Sequence, residues 1–273
     1  MRVAMTGASG FVGTALQKIF KDVVYIHRND SEEVILQKLQ GVDAVINLAG
    51  APIIKRWDDV YKKVLISSRV DTSRTLVNAI NKSDVKHLVS TSAIGIYPDD
   101  KLCDETCQER ADDFLGELAQ KWEEVALTCE KPTTILRFGV VLGKDGGALK
   151  QMLTPFRLGV GGVIGDGKAI MSWITIDDLV NIHKFVLDRG LAGVFNATAP
   201  NPVSNRVLTK ALGKALHRPT VLPIPEFALK IMYGEAAGVL TGSKEVYPKA
   251  LLDAGYEFLQ PDIESAFKAV LDS

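Results

Sequence analysis

Three glycines, Gly7, Gly10 and Gly13, stand at intervals of three between a short apolar run that ends at Thr6 and a helical pattern over Thr14–Phe20. Glycines so placed let the backbone approach a pyrophosphate closely and let a helix pack on a strand with no side chain between them. A helix opening near Phe11 would present unpaired N–H groups and the positive end of its dipole to the phosphates. The chemistry implied is dinucleotide binding, with Gly7, Ser9, Gly10, Phe11, Val12 and Gly13 as contacts. Strand, turn and helix in that order are the setting that separates such a site from an ordinary glycine turn.

A second set of residues concerns the far end of the same ligand. The β-branched run Val23–His27 leads into Arg28, Asn29 and Asp30. Just past this strand a carboxylate would accept from a ribose 2′-OH, whereas an arginine accommodates a 2′-phosphate. Arg28, with Asn29 beside it, therefore predicts NADP(H). Asp30 competes but falls two residues late, and a solvated surface arginine is the other reading of Arg28. A third set, Leu48, Ala49 and Gly50, closes the apolar stretch that begins at Val42. Ligands gather at the carboxyl ends of parallel strands, so these small residues are expected to form a second wall of the site.

The elements that must position these groups follow from periodicity. Strands are predicted over 23–27, 42–50, 86–92, 133–138 and 193–197. Helices are predicted over 31–39, 112–127, 205–216, 226–240 and 262–271, with one long helix over 58–81 and another opening at 174–180. Nearly continuous apolar strands alternating with helices predict an α/β fold, a doubly wound parallel sheet (Rossmann fold), with a small, mainly helical C-terminal region. Residues 1–150 are read as the dinucleotide-binding core and 151–273 as a substrate or cap region. Within the latter, 193–199 return to the core and 222–271 form a helical module. The glycine-rich stretch from Gly143 to Gly167 is expected to be a loop-rich cover.

Composition narrows the class. Lys plus Arg number 32 against 33 Asp plus Glu, so no global field favours nucleic acid or a charged membrane surface. No apolar run is long enough to span a bilayer and no secretory leader is evident, so neither a membrane nor nucleic acid is an expected partner. The three cysteines, Cys103, Cys107 and Cys129, read as free thiols in a reducing cytoplasm, and no residue set suggests a metal site. The expected partner is a small molecule, with oligomeric state left open.

Taken together, Thr6–Gly13, Asn47–Gly50, Ser92–Tyr97 and Leu136–Arg137 resemble the extended short-chain dehydrogenase/reductase superfamily, the NAD(P)-dependent epimerases and dehydratases. A narrower resemblance is to an uncharacterised epimerase-family branch, bacterial and mammalian, with a C-terminal domain of unknown function. It rests on Asn47–Pro52 with Arg56-Trp57, Ser68-Arg69, Arg137–Gly143, Pro155–Gly159, Ser172–Leu179, Leu222–Pro225 and Leu251–Tyr256. The resemblance implies NADP(H) binding, and Val141 in the Arg137–Gly143 stretch is counted among the cofactor contacts.

The usual members use Tyr-x-x-x-Lys on a helix as acid and base. Here the matching helix has Phe114 or Leu115 in the tyrosine position and Leu118 or Ala119 four residues on. A positioned acid–base group supplies roughly 10²- to 10⁴-fold in rate, so a substitute is required for catalysis. Candidates are Ser92, Tyr97, Asp113, Glu117, Lys121 and Arg137, with Tyr97 and Glu117 first. Arg69 stands where usual members carry asparagine, and its fork of donors suits a carboxylate or phosphate. It is expected on the cofactor or an anionic substrate, the alternative being an ion pair with Asp113 or Glu117. The functional expectation is an epimerase-like NADP(H) oxidoreductase with a non-standard active site. The alternative is a non-catalytic NADP(H)-binding sensor or regulatory protein.

Overall fold

Alternate residues of the central strands enter two different apolar cores, and this decides the architecture. Val3 and Met5 pack with Ala44, Ile46, Val89 and Leu136 on one side, while Ala4 packs with Val45 and Leu88 on the other. Side chains of a strand alternate between faces, so a strand apolar on both must be covered on both. The computed structural model describes residues 1–272; Ser273, the last residue of the 151–273 region, lies outside them.

Along the chain come β1 (Val3–Thr6), α1 (Phe11–Leu16), β2 (Val23–Ile26), α2 (Glu32–Lys38), β3 (Ala44–Asn47), α3 (Asp59–Ile66), α4 (Thr72–Asn81) and β4 (His87–Ala93). They are followed by β5 (Leu102–Cys103), α5 (Phe114–Ala126), β6 (Thr133–Phe138), β7 (Val140–Gly143), α6 (Gly147–Arg157), β8 (Ile170–Met171), β9 (Trp173–Thr175) and α7 (Ile176–Asp188). The last part holds β10 (Gly193–Ala197), β11 (Val203–Ser204), α8 (Asn205–Ala215), α9 (Glu226–Tyr233), α10 (Gly238–Thr241), β12 (Glu245–Val246), α11 (Lys249–Asp253) and α12 (Ile263–Asp272).

Six strands form the main sheet in the order β10-β6-β4-β3-β1-β2, every pair parallel. This is the doubly wound α/β sheet expected from the alternation. One face carries Leu16 of α1 and Leu179, Ile182 and Val186 of α7; the other carries Ile35 of α2 and Leu76, Val77 and Ile80 of α4. Strand register lines up two rows of polar side chains. Thr6 lies opposite Ile26 and Asn47, and Asn47 opposite Ser90, which aligns one polar row at the carboxyl edge. Ser92 lies opposite Arg137, and Arg137 opposite Asn196, which aligns a second row on the other half of the sheet.

Three expectations need correction, the first being the helix expected over 226–240, which stops at Tyr233 where Gly234 takes φ +62° and resumes after a 3-10 turn only as the short α10. The helix expected over 58–81 is broken into α3 and α4 by a π-helical turn, Ser67–Asp71. An extra residue in the ladder turns the next side chains about the axis, a shift that apolar periodicity does not register. The glycine-rich stretch after Gly143 is not all loop, for α6 occupies Gly147–Arg157 and buries Leu149, Leu153 and Phe156. These residues meet Trp173, Leu208, Leu212 and Phe267 in a separate core shared with α8 and α12. Buried Asp178 joins the terminal segment to α7: it accepts from the Tyr256 hydroxyl (2.9 Å), Leu259 N (2.8 Å) and Gln260 N (3.0 Å). No helix among the described residues is long and apolar enough to cross a membrane.

Candidate functional site

The turn after β1 is built from glycines because nothing larger fits. Gly7 has φ +63°, and a Cβ there would stand 2.7 Å from the Leu48 carbonyl oxygen. On Gly13 a Cβ would lie 2.5 Å from Gly7 O and 2.7 Å from Ala8 Cα. Real side chains do not survive contacts this short, so helix and turn touch through bare backbone. Gln17, one turn beyond Gly13, braces the loop by donating to Ala8 O (2.6 Å) and Gly13 O (3.1 Å), while its carbonyl accepts from the Tyr25 hydroxyl (2.9 Å). Gly10 caps α1 without a side-chain acceptor, leaving the first N–H groups of the helix for a ligand.

The facing wall is held from behind by the first polar row. Thr6 donates to Asn47 Oδ1 (2.7 Å), and its own oxygen accepts from the backbone N–H of Leu48 (3.0 Å) and Ala49 (3.1 Å). Asn47 in turn donates to Ser73 (2.8 Å), which also accepts from the Trp122 indole (3.0 Å). Every one of these side chains is buried, so the Leu48–Gly50 backbone is held at a set distance from the glycine turn.

Between the two walls runs an open cleft of about 390 Å³. Gly7, Ser9, Arg28, Ala49 and Gly50, all expected contacts, line it together with Gln17, Tyr25, Ser68 and Thr72. Asp30 does not compete with Arg28. It accepts from Lys38 Nζ (2.5 Å) and His27 N (2.8 Å), and despite some desolvation these donors hold its carboxyl below the usual range. Asn29 is exposed beside the cleft, outside its lining.

Other expected contacts lie behind the walls. Leu48 and Val12 pack on the core under the sheet. The Phe11 ring fills a slot in which Cβ atoms on Gly143 or Gly146 would come within 2.3 Å of it. Val141 pairs with Ile174 beside that slot. Gly10 and Gly13 shape the turn from its helix side and are not part of the lining. Ser68, Thr72, Gln17 and Tyr25 are additions that the sequence reading missed. A Gln four residues after the last turn glycine is a spacing that could have signalled the brace, since i and i+4 share a helical face.

The expected acid–base groups are elsewhere. Tyr97 is fully buried, donating to Asn196 Oδ1 (2.9 Å) and accepting from Arg137 Nη1 (2.6 Å). Burial outweighs Arg137 and pushes its phenol pKa up, the reverse of what a phenolate needs. Glu117 is exposed on α5 and faces Lys121 at 3.6 Å. Neither lines the cleft. At the N-terminus of α5, Asp113 caps Gly116 N (2.8 Å), and Phe114 lies against Trp57 with ring centres 5.4 Å apart. Ser92 donates to Glu123 (2.6 Å), which also binds Arg137 through two hydrogen bonds of 2.7 Å each. Desolvation opposes the charge on Arg137, but this pairing raises its pKa above the ordinary arginine value.

Arg69 makes no ion pair with Asp113 or Glu117. The π-turn delivers it beneath Gly50, where its guanidinium donates to Leu65 O (3.3 Å) and Ala51 O (2.9 Å) and lies 5.4 Å from the Trp122 ring centre. It is 8% exposed. Burial without a counter-charge lowers its pKa to about 10.

A glycine turn, a cleft lined by Arg28 and a six-stranded parallel sheet define a protein of the nucleotide-binding α/β class. Residues 3–198 match the family described as NAD dependent epimerase/dehydratase, and residues 224–270 match a domain of unknown function, DUF1731. The chain belongs to the NAD dependent epimerase/dehydratase family. It is 36% identical over 99% of its length to an Arabidopsis thaliana epimerase family protein, the chloroplastic SDR39U1 homolog, covering 87% of that protein. It is 32% identical to the Bacillus subtilis epimerase family protein YfhF, over 99% of this chain and 98% of that one. The crystal structure of human epimerase family protein SDR39U1 (isoform 2) with NADPH superposes with a TM-score of 0.92 at 31% identity, covering all of both chains.

Proposed function

We propose that this chain is an NADP(H)-dependent oxidoreductase, epimerase-like in fold, that acts on a small polar substrate by a non-standard acid–base route. The observation that carries the cofactor reading is the division of labour after β2: Arg28 faces the cleft while Lys38 withdraws Asp30 from it. A carboxylate left free at that point would select a 2′-OH, and a free guanidinium selects a 2′-phosphate. The human relative's NADPH-bound structure supports the same choice.

The residues present fit the group. Gly7 and Ser9, in the turn that Gly10 and Gly13 shape, would admit the pyrophosphate, Arg28 the 2′-phosphate, and Ala49 and Gly50 the nicotinamide half. When bound, the nicotinamide supplies a hydride donor or acceptor. The chain's own contribution is a wall held rigid by Thr6 and Asn47. Glu117, solvent-exposed on α5 outside the cleft lining, is the acid–base candidate put to the test, while Tyr97 is engaged by Asn196 and Arg137 in a closed network. In this reading 1–150 form the cofactor-binding body and 151–273 the substrate cover. The sparse cysteines, all free, support a cytoplasmic setting.

NADPH and NADH titrations, followed by nicotinamide fluorescence, test the cofactor reading. Wild type is expected to prefer NADPH, and Arg28→Gln to lose roughly 10- to 100-fold in NADPH affinity with NADH little changed, as for one charge-assisted contact. Equal affinity for both cofactors in wild type would overturn it. A panel of carbonyl compounds and nucleotide sugars, followed by cofactor absorbance, then tests catalysis. Turnover lost in Glu117→Gln supports the enzyme; tight NADPH binding with no turnover across the panel favours a binding protein.

A further inference from the structure

Arg69 is a buried cation with no counter-charge among the described residues. Among the described residues it enters no ion pair, and its only hydrogen-bond acceptors are two backbone carbonyls, Leu65 O and Ala51 O. An arginine carries five N–H donors, and taking its charge out of water is costly unless an anion meets it.

The surroundings say where that ligand would arrive. The guanidinium lies against the bare Cα of Gly50, where a Cβ would stand 3.1 Å from Cζ and Nη2 and 3.3 Å from Nε. Arg69 lies directly behind the cleft lining, of which Gly50, Ala51, Ser68 and Thr72, its neighbours in space or in sequence, are part. Nε has no hydrogen-bond partner and is not fully buried. The π-helical turn that presents Ser68 and Arg69 together is an irregularity of the kind found at functional sites. The other cationic end of the cleft, Arg28, lies past the opposite wall beside β2.

We infer that Arg69 is the anion receptor at the substrate end of the cleft, and that the substrate carries a carboxylate or phosphate group. This names the substrate class for the NADP(H)-dependent activity proposed above and rests on that reading for the cofactor's position. The anion could come from the substrate or from the cofactor's own phosphates, and the two sources are separable. A planar guanidinium receives either group through two parallel N–H bonds, which a lysine cannot reproduce.

The test is a calorimetric titration of NADPH-loaded protein, at constant ionic strength, with malonate, inorganic phosphate and uncharged malonamide. Malonate or phosphate is expected to bind wild type while malonamide does not. Arg69→Gln is expected to lose at least tenfold in anion affinity and Arg69→Lys less, with NADPH affinity within threefold of wild type in both. Thermal melting with and without malonate gives a second readout: the anion raises the midpoint of wild type and leaves Arg69→Gln unmoved. The inference is overturned if loaded wild type binds neither anion, or if Arg69→Gln binds them as tightly as wild type. It is also overturned if Arg69→Gln weakens NADPH tenfold, which would assign the guanidinium to the cofactor. If wild type binds no NADPH, the cofactor reading fails by itself, and the same anion titrations on the cofactor-free protein still decide whether Arg69 receives an anion.

Discussion

Two buried arginines divide the molecule. Arg137, on β6, is 3% exposed and meets Glu123 through paired hydrogen bonds, with Tyr97, Ser92 and Asn196 completing the cluster. Arg69, on the π-turn, is nearly as buried and meets only carbonyls. Their pKa values move in opposite directions from the ordinary arginine value, up for Arg137 and down to about 10 for Arg69. A closed network has nothing left to offer a ligand. An open one has, and this contrast is why the proposed anion site falls at Arg69 although the more numerous polar residues surround Arg137.

The largest effect should come from breaking the closed network. Glu123→Ala leaves Arg137 buried without a counter-charge and is expected to cost about 3–5 kcal/mol of stability, read as a fall in denaturant midpoint. An unchanged midpoint would mean that Arg137 is not held as described. Next comes acid. His183 is fully buried and held neutral, its pKa lowered by desolvation to about 4 against 6.5 for a free side chain. Between those values the unfolded chain binds a proton that the folded chain does not, so stability falls as pH drops from about 6.5 to about 4. The loss should total roughly 3 kcal/mol, the shift multiplied by about 1.4 kcal/mol per unit. A stability–pH curve that His183→Leu fails to flatten in this window would remove His183 as the cause.

A smaller change is expected from Tyr97→Phe, which leaves Asn196 Oδ1 and Arg137 Nη1 each short of one partner and should cost about 1–2 kcal/mol in thermal or chemical melts. Arg69→Met should have the smallest effect and the opposite sign. Removing an uncompensated charge in favour of an apolar side chain of similar length is expected to leave stability unchanged or raise it by about 1 kcal/mol without ligand. A loss of several kcal/mol there would show that the two arginines do the same structural work.

The glycine-turn end of the cleft was largely legible in the sequence. Gly7, Gly13 and Arg28 take their places through local geometry: a positive φ, a missing Cβ, a position at a strand end. Asp30 was the open question there, and Lys38, eight residues away on α2, answers it. The other end was much less legible. Tyr97 is close in sequence to the rim but turns inward because Asn196 and Arg137 offer it partners from strands far along the chain. Phe11 stands in the turn, yet its ring goes to glycines over a hundred residues later.

By itself the sequence determined the parallel sheet, the glycine turn and the loss of Tyr-x-x-x-Lys, because periodicity, backbone sterics and residue identity are local properties. Only the tertiary structure decided which polar groups are consumed and which remain free. Glu123, Ser92 and Arg137 satisfy one another because strand register brings Ser92 and Arg137 side by side and α5 lays Glu123 across them. Arg69 stays unsatisfied because one extra residue in a helical turn carries it beneath Gly50, away from every carboxylate among the described residues. Whether a charge is paired depends on what the fold brings to it, and no spacing along the chain records that.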